Sequence, residues 1–99
     1  MRTLVSESVN KIGETITLKG WINTIREHGK VVFVDLRDRT GIVQVVFWGE
    51  VADKVRGLGI EFVVEISGLV KSRSESTVNP DIETGSIEIE GQKIEILNT

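Results

Sequence analysis

Residues 29–46 read GKVVFVDLRDRTGIVQVV, and the alternation in this stretch decides the fold. Val32, Val34 and Leu36 occupy every second position, the period of a β-strand with one buried face. Asp38-Arg39-Thr40-Gly41 is made of turn formers, and Val43, Val45 and Phe47 resume the same period beyond it. The stretch predicts a hairpin of strands 30–37 and 42–48, with Arg37 opposite Ile42, Asp35 opposite Gln44 and Phe33 opposite Val46. Phe33, Asp35, Arg37, Ile42, Gln44 and Val46 then share the outward face. The chain has only three Phe and two Trp, and one of these rings is aimed away from the core among charges.

Upstream, Thr15 to Arg26 reads as a long first strand. Its parity changes near Gly20-Trp21, which predicts a bulge or bend there, with Trp21 packed at the core or the bend. His28-Gly29 makes the turn into the second strand, and Thr24 and Arg26 fall on the outward side. A helical turn over Ser6 to Ile12, with Ser6 as N-cap and Gly13 as stop, precedes this strand. Downstream, Val51, Val55 and Leu58 have helical spacing, closed by Gly57 or Gly59, with Trp48 expected to cap the barrel beneath the helix. Phe62 to Arg73 is strand 4, SESTVNPDIETG is a loop around the only proline, and Ile87-Ile89 and Ile94-Ile96, separated by Gly91-Gln92, make strand 5 or its bent halves. Five strands with one helix between the third and fourth give an all-β fold, the five-stranded Greek-key OB-fold barrel. An SH3-like barrel is the rival pattern, but it lacks the helix.

The totals bound the functions. Ninety-nine residues make a single domain with one modest core, and no apolar run reaches the roughly 20 residues that cross a bilayer. MRTLVSESVNK has no secretory pattern, so the cytoplasm is the expected compartment and no membrane partner is expected. With no Cys and one His, no metal site of those residues is expected. No residue reads as catalytic, because nothing supplies a nucleophile, a metal or an enclosed pocket around Glu27, Asp35 or Asp38. The net charge of −3 argues against nucleic-acid binding by bulk electrostatics. Arg26, Lys30, Arg37, Arg39, Lys71 and Arg73 nevertheless fall in or beside strands 1, 2 and 4, while many acids fall towards the C-terminus, most simply on a solvated face. His28 reads as a solvated turn residue.

The outward face carries the parts that single-stranded nucleic acid needs. A ring stacks on a base, an amide offers a donor and an acceptor to a base edge, and arginines meet phosphate or base edges. On pattern alone two readings stay open: Phe33 stacks a base, or it packs under a loop or the N-terminal turn while Gln44 is solvated.

The run GWINTIREHGKVVFVDLRDRTGIVQVVF (20–47), with KSRSESTVNPDIETGSIEIE (71–90), resembles the N-terminal anticodon-binding domain of bacterial-type aspartyl-tRNA synthetases, across nearly the whole chain. The pattern GW…R…HG…F.DLRDR.G..Q is shared more loosely with asparaginyl and lysyl enzymes; R.E.TVNP…TG.IE is more particular to the bacterial aspartyl type. The resemblance implies that Phe33 stacks under the central anticodon base and that Gln44 reads that uracil. It implies that Arg26, Arg73, Thr77, Asn79 and Glu88 hold or read the flanking bases, with Glu88 accepting from the first. The family usually has a denser arginine cluster where this chain has Thr24-Ile25-Arg26-Glu27, and an asparagine can occur where Thr77 stands. These departures imply weaker or altered reading of the outer bases.

The expected partner is therefore tRNA of the aspartate type, met at the anticodon loop. The parent enzymes continue into a class II catalytic domain whose motifs are absent from these residues. ATP and magnesium would belong to that domain, so no cofactor is expected here, and residues 1–99 read as one anticodon-binding unit that is not itself an enzyme. If the chain is a fragment, that catalytic domain is its second partner. The rival from another class is an OB-fold protein-interaction or engineered scaffold whose outward face binds a polypeptide.

Overall fold

A computed structural model of the chain describes residues 3–73 and 85–98. Its elements are a 3-10 segment (Val5–Asn10), β1 (Thr15–His28), β2 (Val31–Asp38), β3 (Gly41–Trp48), α1 (Gly49–Arg56), β4 (Val63–Ser72) and β5 (Ile87–Asn98). The strands close a barrel in the order β1-β2-β3-β5-β4, with β3 and β5 parallel and the other neighbours antiparallel. This is the expected five-stranded OB barrel with its helix between the third and fourth strands.

The hairpin has the predicted register, with Arg37 opposite Ile42, Asp35 opposite Gln44 and Phe33 opposite Val46. Val32, Val34, Leu36, Val43, Val45 and Phe47 are all fully buried and form the core with Leu18, Ile22, Ile66, Ile87 and Ile89. Ala52 and Val55 of α1 close one end of it. The helix is also tied at its edges. Lys54 Nζ donates to the Ile94 carbonyl at 2.8 Å, and Arg56 donates to Glu27 at 2.9 Å and to the Gly29 carbonyl at 3.2 Å. The β1–β2 turn beside the outward face is thus fastened to the helix.

Several expectations change. The parity break in β1 lies at Asn23, where the pairing with β2 skips from Ile22 to Thr24; Ile16, Leu18, Gly20 and Ile22 keep one buried parity up to that point. Gly20 is required for close approach instead, since a Cβ there would stand 2.2 Å from the Arg37 carbonyl oxygen. Trp21 consequently points outward and is 37% exposed rather than core. Trp48 is 48% exposed and does not cap the barrel; it has the outward parity of Gln44 and Val46. Of the two alternatives for strand 5 the structure has the single strand, with a bulge that skips Gln92 between Gly91 and Lys93 in the pairing with β4.

The N-terminal segment is 3-10 and starts from Leu4, not from a Ser6 cap. Leu4 has no side-chain acceptor, so its carbonyl accepts from Glu7 N–H at 3.0 Å while the Glu7 carboxylate accepts from Leu4 N–H at 2.9 Å. The missing cap is supplied from the hairpin. Asp38 accepts from Val5 N–H at 2.9 Å and from Thr40 N–H at 2.7 Å, and Thr40 Oγ1 accepts from Ser6 N–H at 3.0 Å.

Partial burial works against ionisation of Asp38, but hydrogen bonds from Thr40, Val5 and Gly41 outweigh it and hold the carboxyl below its usual 3.8. A folded value below the unfolded one contributes stability that is complete above about 3.8 and is lost as pH falls through the lower folded value. Asp38→Ala is expected to cost about 1–2 kcal/mol near neutral pH in urea unfolding. The gap from wild type should shrink on acidification through that window; a gap independent of pH would show that the charge is not what stabilises the turn.

Candidate nucleic-acid interface

Because β2 and β3 bury their even- and odd-numbered valines respectively, the hairpin presents Phe33 and Asp35 beside Gln44 and Val46. On β1 the bulge at Asn23 resets the parity, which brings Thr24 opposite Asp35 and Arg26 opposite Phe33. On β5, Ile87 and Ile89 are buried, so Glu88 and Glu90 face outward next to β3. Four strands, three consecutive and the fourth from the far end of the chain, thereby supply one surface.

The side chains on it are joined. Thr24 donates its hydroxyl to Asp35 Oδ2 at 2.6 Å, and Arg26 Nη2 donates to Asp35 Oδ1 at 3.3 Å and to Gln44 Oε1 at 3.2 Å. Gln44 Nε2 in turn donates to Glu88 Oε2 at 3.4 Å. Arg26 is 47% exposed and Asp35 19%, so this is a solvent-edged network whose ion pair contributes little stability by itself. Its effect is to hold the Gln44 amide between a cation and an anion.

Phe33 is half-buried on the outward side, and His28 meets it edge to face, with ring centroids 5.5 Å apart at 81°. His28 ends β1 and props the phenyl ring, a contact that reading it as a solvated turn residue missed. Val46 keeps outward parity yet is only 8% exposed, flanked in the sheet by Phe33 and Glu90. Trp48 adds a second exposed ring on the same strand face. The alternation of Gln44, Val46 and Trp48 was the signal that could have placed it.

Of the other candidate residues, Arg73 donates Nε to the Ile87 carbonyl at 2.9 Å, and its N–H bonds the Ser86 carbonyl at 2.9 Å, at the mouth of β4 and β5. Thr77 and Asn79 lie outside the described residues. The separation of cations from C-terminal acids seen along the chain does not survive folding. Lys71 Nζ pairs with Glu90 at 2.8 Å, and that hydrogen bond raises the lysine's pKa. Among the described residues no group of three His, Cys, Asp or Glu side chains could hold a metal, and no helix is long and apolar enough to cross a membrane. A groove lined by Glu50, Lys54, Glu65, Lys93 and Glu95 lies between α1 and the β4–β5 pair, away from Phe33 and Gln44.

A profile of the OB-fold nucleic acid binding domain, of the tRNA anticodon type, matches residues 16–97. The chain belongs to this family. It is 46% identical over 101 residues to the aspartate–tRNA(Asp/Asn) ligase of Corynebacterium glutamicum, a match covering 99% of this chain and 17% of the ligase. The chain thus spans about 17% of the length of that relative, and it is homologous to the anticodon-binding domain alone. Among solved structures, aspartyl-tRNA synthetase from Entamoeba histolytica superposes with a TM-score of 0.89 at 19% identity, over 99% of this chain and 21% of the other, which shows the fold alone. An OBody bound to hen egg-white lysozyme is 25% identical with a TM-score of 0.81, over 100% of this chain and 91% of the other.

Proposed function

We propose that this OB domain binds the anticodon loop of an aspartate-type tRNA, with the β2–β3 face reading the central base. The observation that carries the reading is the diagonal placement of an outward Phe33 and an outward Gln44 on adjoining strands, within a family of nucleic-acid-binding domains. A base stacked on Phe33 presents its edge to the Gln44 amide, which offers one acceptor and one donor. Arg26 and Arg73 meet phosphate or base edges, Thr77 and Asn79 help to hold or read the flanking bases, and Glu88 accepts from the first anticodon base. Residues 1–99 act as one unit, without cofactor or catalytic residue of their own. If the longer relatives are the guide, a catalytic domain supplied elsewhere in the polypeptide uses ATP and magnesium in the cytoplasm.

Trp48 extends the stacking surface towards a neighbouring base. Trp48→Ala is expected to weaken stem-loop binding about fivefold or more, the low end for one stacked base, with little change in unfolding free energy because half of the ring is in water. Unchanged binding would confine stacking to Phe33.

The function is tested by titrating the domain with a stem-loop carrying the aspartate anticodon and with one whose central uracil is replaced by cytosine. Binding should favour uracil by about tenfold or more, as expected for a two-hydrogen-bond base contact, and should weaken as salt rises. Equal binding to both sinks the central-base reading. The likeness to a lysozyme-bound OBody supports the other reading, a polypeptide-binding face; that reading predicts negligible affinity for either loop even at low salt.

A further inference from the structure

We propose that Asp35 and Glu88 are positioning residues that fix the sense of the Gln44 amide, and through it the preference for uracil over cytosine; this rests on the base-reading function above. A glutamine amide can turn by a half-rotation about its last bond, exchanging oxygen and nitrogen. Without charged neighbours it reads a donor–acceptor edge and an acceptor–donor edge alike. Uracil offers an N3–H donor beside carbonyl acceptors, whereas cytosine offers an N3 acceptor beside an amino donor. An amide that turns freely accommodates both, and only one held in a single sense tells them apart.

The surroundings of Gln44 permit one sense. Its Oε1 accepts from Arg26 Nη2 at 3.2 Å and its Nε2 donates to Glu88 Oε2 at 3.4 Å. Turned over, the amide nitrogen would face a guanidinium that has no acceptor, and the oxygen would face a carboxylate that has no donor. Both contacts would become repulsive together. The clamp leaves the face usable, since Oε1 has a second lone pair and Nε2 a second hydrogen for a base. Asp35 enters because it holds the same Arg26 nitrogen at 3.3 Å, while its other oxygen is fixed by the Thr24 hydroxyl at 2.6 Å. Asp35 thus orients Arg26, and Arg26 and Glu88 orient Gln44, from three different strands.

The test uses the domain with stem-loops that differ only in uracil or cytosine at the central position. In wild type the uracil loop should bind about tenfold or more tightly, and in Asp35→Asn and Glu88→Gln that ratio should fall to about threefold or less. A general weakening of the face, or loss of a Glu88 contact to another base, lowers both affinities and leaves the ratio standing. In the RNA-free protein, the two Gln44 amide protons should exchange with solvent at different rates in wild type and at similar rates in Glu88→Gln. A ratio unchanged in both variants, with wild type discriminating, overturns the inference and leaves the base-reading function intact. If wild type itself fails to discriminate, the base-reading function falls and this inference falls with it.

Discussion

Phe33→Ala is expected to weaken binding of an aspartate-anticodon stem-loop by about five- to 150-fold, while urea unfolding changes by only about 1 kcal/mol. The first figure is the range for removing one base–aromatic stack, about 1–3 kcal/mol. The second follows from where the ring sits. Phe33 is half-buried, lies on the face opposite Val32 and Val34, and meets His28 edge-on instead of filling the barrel. Truncation there opens no cavity in the core, so its cost is that of a cross-strand surface pair. Isothermal titration and chemical unfolding of the same sample separate the two effects. A stability loss of several kcal/mol with proportionate loss of binding would make Phe33 a packing residue.

The opposite balance is expected at Gly20. Gly20→Ala should destabilise the fold by about 3 kcal/mol, at the upper end for overpacking, because the added carbon meets the Arg37 carbonyl oxygen at 2.2 Å. Backbone cannot rotate aside as a side chain does, so β1 and β2 must separate where Trp21 pairs with Arg37. Gly57→Ala is the control, since its nearest neighbour lies at 3.8 Å and its φ of −85° suits any residue; it should stay within about 0.5 kcal/mol of wild type. Thermal or urea unfolding of both variants checks the contrast. Equal effects would contradict the strand contact.

The same glycine shows how far the sequence could be read. The β2–β3 hairpin was legible because its valines and leucine alternate without interruption, which fixes the parity of Phe33 and Gln44; with DRTG as the turn, the register follows and matches the one observed. In β1 the apolar period also runs unbroken, through Ile16, Leu18 and Ile22, but Gly20 stands at a buried position and drew attention to itself. The bulge at Asn23 carries no residue-type signal, since its cause is the pairing with β2. Trp21 was misplaced for that reason. Trp48 was misplaced for another: its size suggested burial, although its parity with Gln44 assigned it outward.

The network around Gln44 was legible only in its members: the sequence puts Thr24, Arg26, Asp35 and Gln44 on one outward face, but not the contacts that join them or the link to Glu88. Asp35 and Gln44 are neighbours in the hairpin, but Arg26 reaches them only because the bulge resets β1, and Glu88 arrives from a strand that runs parallel to β3. A role for Glu88 is implied only by the family resemblance, and its contact with Gln44 exists only in the folded barrel. Charge along the chain misled in the same way, because β5 carries its acids back to the lysine of β4 and the amide of β3.

The proposed function places RNA on the β2–β3 face. It is tested most directly by titrating the isotopically labelled domain with the aspartate-anticodon stem-loop and following backbone and side-chain amide signals by NMR. The largest shifts are expected on Arg26, Phe33, Gln44, Trp48, Arg73 and Glu88, with the groove between α1 and the β4–β5 pair unaffected. Shifts concentrated at Glu50, Lys54 and Lys93, or none at low salt, would contradict it.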